Sequence, residues 1–256
     1  MKIPSLRPVT TLALLSIFFA GCRKAPNDYV QGYVEGEFVY VSSPLAGTLQ
    51  HLLVRRGDQV TAGQPLFSLD EIMEQAAHDQ AQAALVLSEA DYKRQEQLFR
   101  SGPVAAQDFD RARSTRDQDR ERLAQANWNL LQKKQDAPQA GLVYDTLFRE
   151  GEWVAAGKPI VMLLPPPNIK VRAFVPETQI GALHVGEEAR VTVDGVPEPF
   201  AGKISYISAR AEYTPPVIYS RESRSKLVFL VEIHFDPASA ARLHPGQPVD
   251  VRFVRQ

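Results

Sequence analysis

Cysteine is nearly absent from this chain: Cys22 is the single one in 256 residues. A lone thiol makes no intramolecular disulfide, so the fold must be held by its core. Excess charge of either sign is missing as well. The formal net charge is -1 and no basic cluster occurs, which excludes the electrostatic footprint of a nucleic-acid binder. The five histidines, His51, His78, His184, His234 and His244, are scattered. None has a partner at metal-ligand spacing. The chain has no glycine-rich phosphate loop and no nucleophile elbow. Strand and helix patterns do not alternate as two α/β lobes would require. Glu35 with Glu37, and Glu187 with Glu188, come nearest to paired carboxylates. Adjacent acids in such turn-rich β context read as solvated. The expectation is a protein that is not an enzyme, with no catalytic residue, no metal and no cofactor.

Long apolar runs are scarce too. The one at the N-terminus, Thr11 to Phe19, follows Lys2 and Arg7 and precedes Ala20-Gly21. It is too short for a comfortable membrane span and reads as a signal peptide over residues 1–21. Cys22 follows directly, as in a bacterial lipobox with Phe19 in place of the usual leucine. That position makes Cys22 the expected lipidation site, with residues 22–31 as a polar tether. Acyl chains anchor by about 0.8 kcal/mol per buried methylene. The expected location is the periplasm, on a membrane. The inner membrane is favoured and the outer stays open.

What the chain does contain is one segment written twice. Pro44-Leu45-Ala46-Gly47 leads to Arg55-Arg56-Gly57-Asp58, Val60 and Ala62-Gly63-Gln64-Pro65-Leu66. Pro138-Gln139-Ala140-Gly141 leads at the same spacing to Arg149-Glu150-Gly151-Glu152, Val154 and Ala156-Gly157-Lys158-Pro159-Ile160. The separation is too long for a solenoid period. The reading is one small β-sandwich cut in two by an insertion. Residues 32–69 supply a first strand and the first half, and residues 137–164 the second. The glycines Gly47, Gly57, Gly63, Gly141, Gly151 and Gly157 are expected at tight turns.

The insert, residues 70–136, is rich in Ala, Gln, Glu, Arg and Leu, and has neither proline nor glycine before Gly102. Asp70 is placed to cap a first helix that Ser101-Gly102-Pro103 ends. A second helix is expected from Gln107-Asp108 to Gln135, before Pro138. Two arms of roughly 45 Å each make an antiparallel hairpin. Ile72, Ala76, Ala83, Val86, Leu87, Ala90 and Leu98 mark the expected seam of the first arm, and Phe109, Ala112, Leu123, Ala126, Leu130 and Leu131 that of the second. Ser114 to Arg122 is almost wholly polar, which suggests that part of the hairpin's burial comes from other subunits.

Pro165-Pro166-Pro167 reads as a stiff, extended hinge. Beyond it the alternating runs Val171–Val175, Ala189–Val193, Lys203–Ile207, Leu227–Phe235 and Val249–Val254 are separated by turn signals such as Asp194-Gly195 and His244-Pro245-Gly246-Gln247-Pro248. Residues 165–256 are expected to form a small β-barrel.

Repeat, hairpin and barrel in this order resemble the HlyD-type membrane fusion proteins, the periplasmic adaptor subunits of efflux pumps. The resemblance covers nearly all the chain beyond the leader. It implies a fold that is mainly β with an inserted α-helical hairpin: a split lipoyl-like (biotinyl-like) β-sandwich, an antiparallel coiled-coil hairpin and a small β-barrel. It implies transport, with an inner-membrane transporter below and a TolC-like outer-membrane channel above. At the hairpin tip, Arg94 and Leu98 match the docking pattern, Val104 keeps its apolar neighbour, and Ala105 stands where many members have serine. A hexameric ring of copies is implied as well. The early end after Val249 is similar to compact adaptors paired with ABC-type exporters. The alternative is a biotin or lipoyl carrier, which needs a lysine on a tight β-turn between the halves. The lysines there, Lys93, Lys133 and Lys134, fall instead in the expected helical arms.

Overall fold

The computed structural model describes residues 29–102, 105–213 and 227–254. The chain enters along β1 (Val30–Gly36) and then builds the first repeat as β2 (Val39–Ser42), β3 (Gly47–Leu52), β4 (Gln59–Val60) and β5 (Pro65–Leu69). Two helices follow, α1 (Ile72–Ser101) and α2 (Ala106–Leu131). The chain returns through β6 (Lys134–Asp136), and the second repeat gives β7 (Gly141–Thr146), β8 (Trp153–Val154) and β9 (Pro159–Leu164).

The two repeats interlock into one sandwich. One sheet runs β2-β9-β7-β4 and the other β6-β5-β3-β8, so each mixes strands of both copies. Matching backbone bonds cross between the copies in both directions. Gly57 N–H donates to Val143 O (2.9 Å) and Gly151 N–H to Leu49 O (2.8 Å). Gly63 N–H reaches Ala137 O and Gly157 N–H reaches Ser43 O, both at 2.8 Å. These four glycines have φ of 96°, 88°, 78° and 74° in that order, a region that side chains disfavour. A carboxylate closes the turns at Gly57 and Gly151: Asp58 accepts from Arg55 N–H (2.7 Å) and Glu152 from Arg149 N–H (2.9 Å). Gly47 and Gly141 differ from the turn expectation. They open strands β3 and β7 and are small because other chain passes close. A Cβ on Gly141 would lie 3.0 Å from Leu164 O, and one on Gly47 3.1 Å from Lys133 Nζ. Leu49, Leu66, Leu69, Val143, Ile160, Val161 and Leu163 are fully buried between the sheets.

The rest of the chain forms β10 (Ile169–Pro176), α3 (Glu177–Ile180), β11 (Glu188–Val193), β12 (Phe200–Tyr213), β13 (Leu227–His234), α4 (Pro237–Ala240) and β14 (Pro248–Phe253). The barrel closes in the order β1-β10-β13-β12-β11-β14. So β1, expected with the first half of the sandwich, is a barrel stave, and the chain crosses between the two β bodies twice. Gly32 makes that insertion fit, since a Cβ there would lie 2.4 Å from Arg172 O. Alternation along β11 points Ala189, Val191 and Val193 inward, as a half-buried strand requires. The triple proline is extended only at Pro165; Pro166–Asn168 is a 3-10 turn. Asn168 ties the two crossings together by donating from Nδ2 to Glu37 O (2.9 Å).

Three features of the hairpin depart from the sequence reading. Asp70 sits one residue before the helix boundary, and its carboxylate accepts from Ile72 N–H at 3.1 Å. The second arm stops at Leu131 rather than Gln135, because Lys134 to Asp136 pair with β5 instead. On α1, the expected seam residues Ile72, Ala76, Ala83, Val86, Leu87, Ala90 and Leu98 all face solvent. The side turned to α2 carries Leu85 and Ser88 as its buried residues. Apolar spacing alone found a genuine stripe but assigned it to the wrong face. On α2, Ala112 and Ala126 are buried and Leu131 is exposed.

Candidate docking tip and its anchorage

The tip is where α1 turns into α2. Gly102 caps α1 at φ 97°, its N–H bonded to Leu98 O (3.1 Å) and Phe99 O (3.3 Å). This left-handed cap with proline directly after it is a firm helix stop. Ala105, at the start of α2, is extended, and its carbonyl accepts from Asp108 N–H at 3.0 Å. With no side-chain oxygen, Ala105 leaves that start without a hydroxyl cap. Val104 lies outside the described residues, as do Cys22 and the leader.

Arg94 stands out from α1 with its side chain 67% exposed, loosely paired with Asp91 at 3.3 Å. Leu98 lies one turn nearer the tip and is 38% exposed. Both therefore face outward on one helix flank. A surface pair such as Arg94–Asp91 holds by little, so the guanidinium is free to exchange partners.

An aromatic lock that sequence reasoning missed holds the two helices together just below the tip. Phe99 and Phe109 stack at 5.0 Å with rings 10° apart. Tyr92 meets Phe109 at 5.5 Å. Arg116 lies 4.0 Å over the Tyr92 ring, a cation–π contact. Its hydrogen bond to Asp117 raises the Arg116 pKa and lowers that of Asp117. The heptad step from Tyr92 to Phe99 was the available signal.

The base carries a second unforeseen device. Lys133 is 4% exposed; its ammonium donates to Ala46 O at 2.8 Å and pairs with Glu74 at 2.9 Å. Lys134 pairs with Glu71 at 3.0 Å, and Ser43 Oγ donates to Gln132 O at 2.8 Å. These bonds tie both helix ends to the sandwich. They also occupy the two lysines that stand beyond α2, while Lys93 is exposed on α1. None lies on a tight β-turn, as a carrier lysine would.

Glu35 and Glu37 are ion-paired, Glu35 half-buried and Glu37 still exposed to solvent. Lys170, with its side chain 9% exposed, pairs with Glu37 and, at 3.0 Å, with Glu232. Arg172 pairs with Glu35 at 2.9 Å. The Lys170 hydrogen bond holds the Glu37 pKa below the usual carboxylate value. Glu187 bonds to His184 at 2.9 Å. Among the described residues, no group of His, Cys, Asp or Glu could hold a metal ion.

A long helical hairpin leaving one end of a split sandwich, with a closed barrel on the other side of a double crossing, is the fold of the membrane fusion proteins. Comparison with solved structures bears this out. The chain is similar to a MacA–MexA chimera containing the Pseudomonas aeruginosa MexA α-hairpin domain, at 21% identity and TM-score 0.74, over 89% of this chain and 81% of that one. It is similar also to the membrane fusion protein Spr0693 of Streptococcus pneumoniae R6, at 22% identity and TM-score 0.67, over 89% and 99% of the two chains. More particularly, residues 66–145 match the YBHG alpha-helical hairpin domain. A UPF0194 membrane protein of Citrobacter koseri is 27% identical over 325 aligned positions, covering 99% of this chain and 98% of the relative.

Proposed function

We propose that the protein is a periplasmic adaptor, linking an inner-membrane transporter of the ABC type to a TolC-like outer-membrane channel for efflux or secretion. Lipid on Cys22 holds it at a membrane. The barrel and the lipoyl-like sandwich stack with those of other copies in a ring of six, and the hairpins stand side by side as a tube. The work is mechanical coupling without covalent chemistry.

The observation that carries this reading is the apolar line on the outer flank of α1. Ile72, Ala76, Ala83, Leu87, Ala90 and Leu98 are all exposed, with no helix of the described residues covering them. Leu87 is 73% exposed and Ile72 71%. Such a stripe, continued to the tip beside Arg94, suits burial against further helices. Changing Cys22 to alanine is expected to release the protein from membranes with its fold intact, read by fractionation and circular dichroism. Changing Arg94 or Leu98 to aspartate is expected to abolish export without lowering protein level. Normal export by both tip variants would remove the docking assignment.

A further inference from the structure

The buried residues of α2 step down the helix as Ala112, Asp119 and Ala126. This seven-residue step keeps one face on the partner helix, so the middle position of the seam is a carboxylate. Asp119 is 6% exposed. The ring contact of Tyr92 with Arg116 sets the register between the helices. One turn further from the tip, the next buried residue on α1 is Ser88, also 6% exposed. Ser88 and Asp119 therefore make one polar layer.

Neither residue bonds across the seam through the contacts it makes. Asp119 accepts from Arg122 of its own helix at 3.0 Å, and Ser88 Oγ donates to Leu85 O of its own helix at 3.2 Å. A polar layer can serve to fix helix register. Here the register is already set above by the aromatic lock and below by Lys133 and Lys134. What remains is the desolvation of a carboxylate whose ion pair, to the exposed Arg122 of its own helix, does nothing to draw the two helices together.

We propose that the Ser88–Asp119 layer is a built-in yield point of the hairpin, where the seam opens before either end does. The tip then swings on its base while the aromatic lock and the lysine clamp stay closed. The property belongs to the isolated chain and does not depend on the adaptor reading.

Hydrogen exchange of the full-length protein, followed by mass spectrometry, tests it. Backbone amides around Ser88 and Asp119 are expected to exchange about tenfold faster than those near Ala81 and Ala126. The variant Asp119→Ala should slow them by about tenfold, matching its layer to those of Ala112 and Ala126. Alanine also raises helix propensity, by itself about two- to threefold. The exposed Asp110→Ala serves as the control for that. If the middle is as protected as its flanks, or if Asp119→Ala slows exchange no more than Asp110→Ala does, the yield point does not exist.

Discussion

The sandwich and the hairpin answer the same problem, joining two distant stretches of chain, in opposite ways. In the sandwich the two repeats exchange paired backbone bonds and close over seven fully buried aliphatic side chains. Among the described residues of the hairpin, the seam has one buried large aliphatic residue, Leu85, among serine, alanine and aspartate. The sandwich is held throughout its interior. The hairpin is held at its two ends. The difference follows from what each must do with its apolar surface. The sandwich closes its aliphatic interior between two sheets and leaves Tyr40, Leu53, Leu147 and Trp153 exposed on its outside, whereas α1 keeps its better apolar face turned outward. Self-sufficient helices would put that face on each other, so the hairpin carries its surface for something other than its own folding.

The largest effect expected from breaking this contrast is in the sandwich. Leu163 is fully buried between the sheets. Leu163→Ala should cost about 2–5 kcal/mol in urea unfolding followed by circular dichroism. Leu85 is 8% exposed and faces a seam of small residues. Leu85→Ala should cost about 2 kcal/mol, the low end of that range, because a two-helix seam open on both sides leaves little cavity, and should leave the β signal unchanged. Equal costs would mean that the hairpin is a core after all.

The clamp at the base comes next. Lys133→Ala strands Glu74 and the Ala46 carbonyl beside the sandwich. Stranding one partner of a well-buried pair costs about 3–5 kcal/mol. The Glu74 side chain is 22% exposed, so water recovers part, and about 1–3 kcal/mol remains. Exchange of the amides at the start of α1 and the end of α2 should rise, while the barrel amides stay protected. A uniform rise would show that the lysine supports the whole fold rather than the anchorage.

How much of this could be read in advance depends on whether the signal is local. The repeat was legible because glycines with positive φ and the prolines beside them leave marks at fixed spacing. The hairpin was legible because helix formers run unbroken from Glu71 to Ser101. The face of α1 that meets α2 was not, since spacing reveals a stripe without saying what covers it. Likewise β1 joined the barrel and not the sandwich. Its alternation fits either sheet, and the choice is made by β10 and β14, far along the chain. The lysine clamp and the aromatic lock escaped for the same reason, each joining residues that are neighbours only after folding. At the tip, Arg94 and Leu98 were legible as a pattern, and their outward orientation came from the helix.

The smallest effect is a pH dependence, and it probes the crossing between sandwich and barrel, where the two ways of holding chain meet. Glu37 lies on one crossing and Lys170 at the start of the strand after the other. The Lys170 ammonium holds the Glu37 pKa below its ordinary 4.5. Burial by itself would lower the Lys170 pKa, but hydrogen bonds to Glu37 and Glu232 outweigh it and the net direction is upward. A lowered carboxylate pKa adds stability that is complete above the unfolded value and is lost as pH falls through the folded one. A raised ammonium pKa adds stability present at neutral pH and lost only in strong base. At pH 7 both contributions are in place. Glu37 has a side chain 61% exposed, so screening keeps its share under about 1 kcal/mol. Glu37→Gln should therefore unfold slightly more easily than the native protein at pH 7. The gap should narrow below pH 4.5 and vanish once the native carboxyl is protonated. Thermal unfolding of both proteins across pH 3–7 measures it. A gap that persists unchanged in acid would mean that the crossing is held by Asn168 and the backbone, with the ion pair contributing nothing.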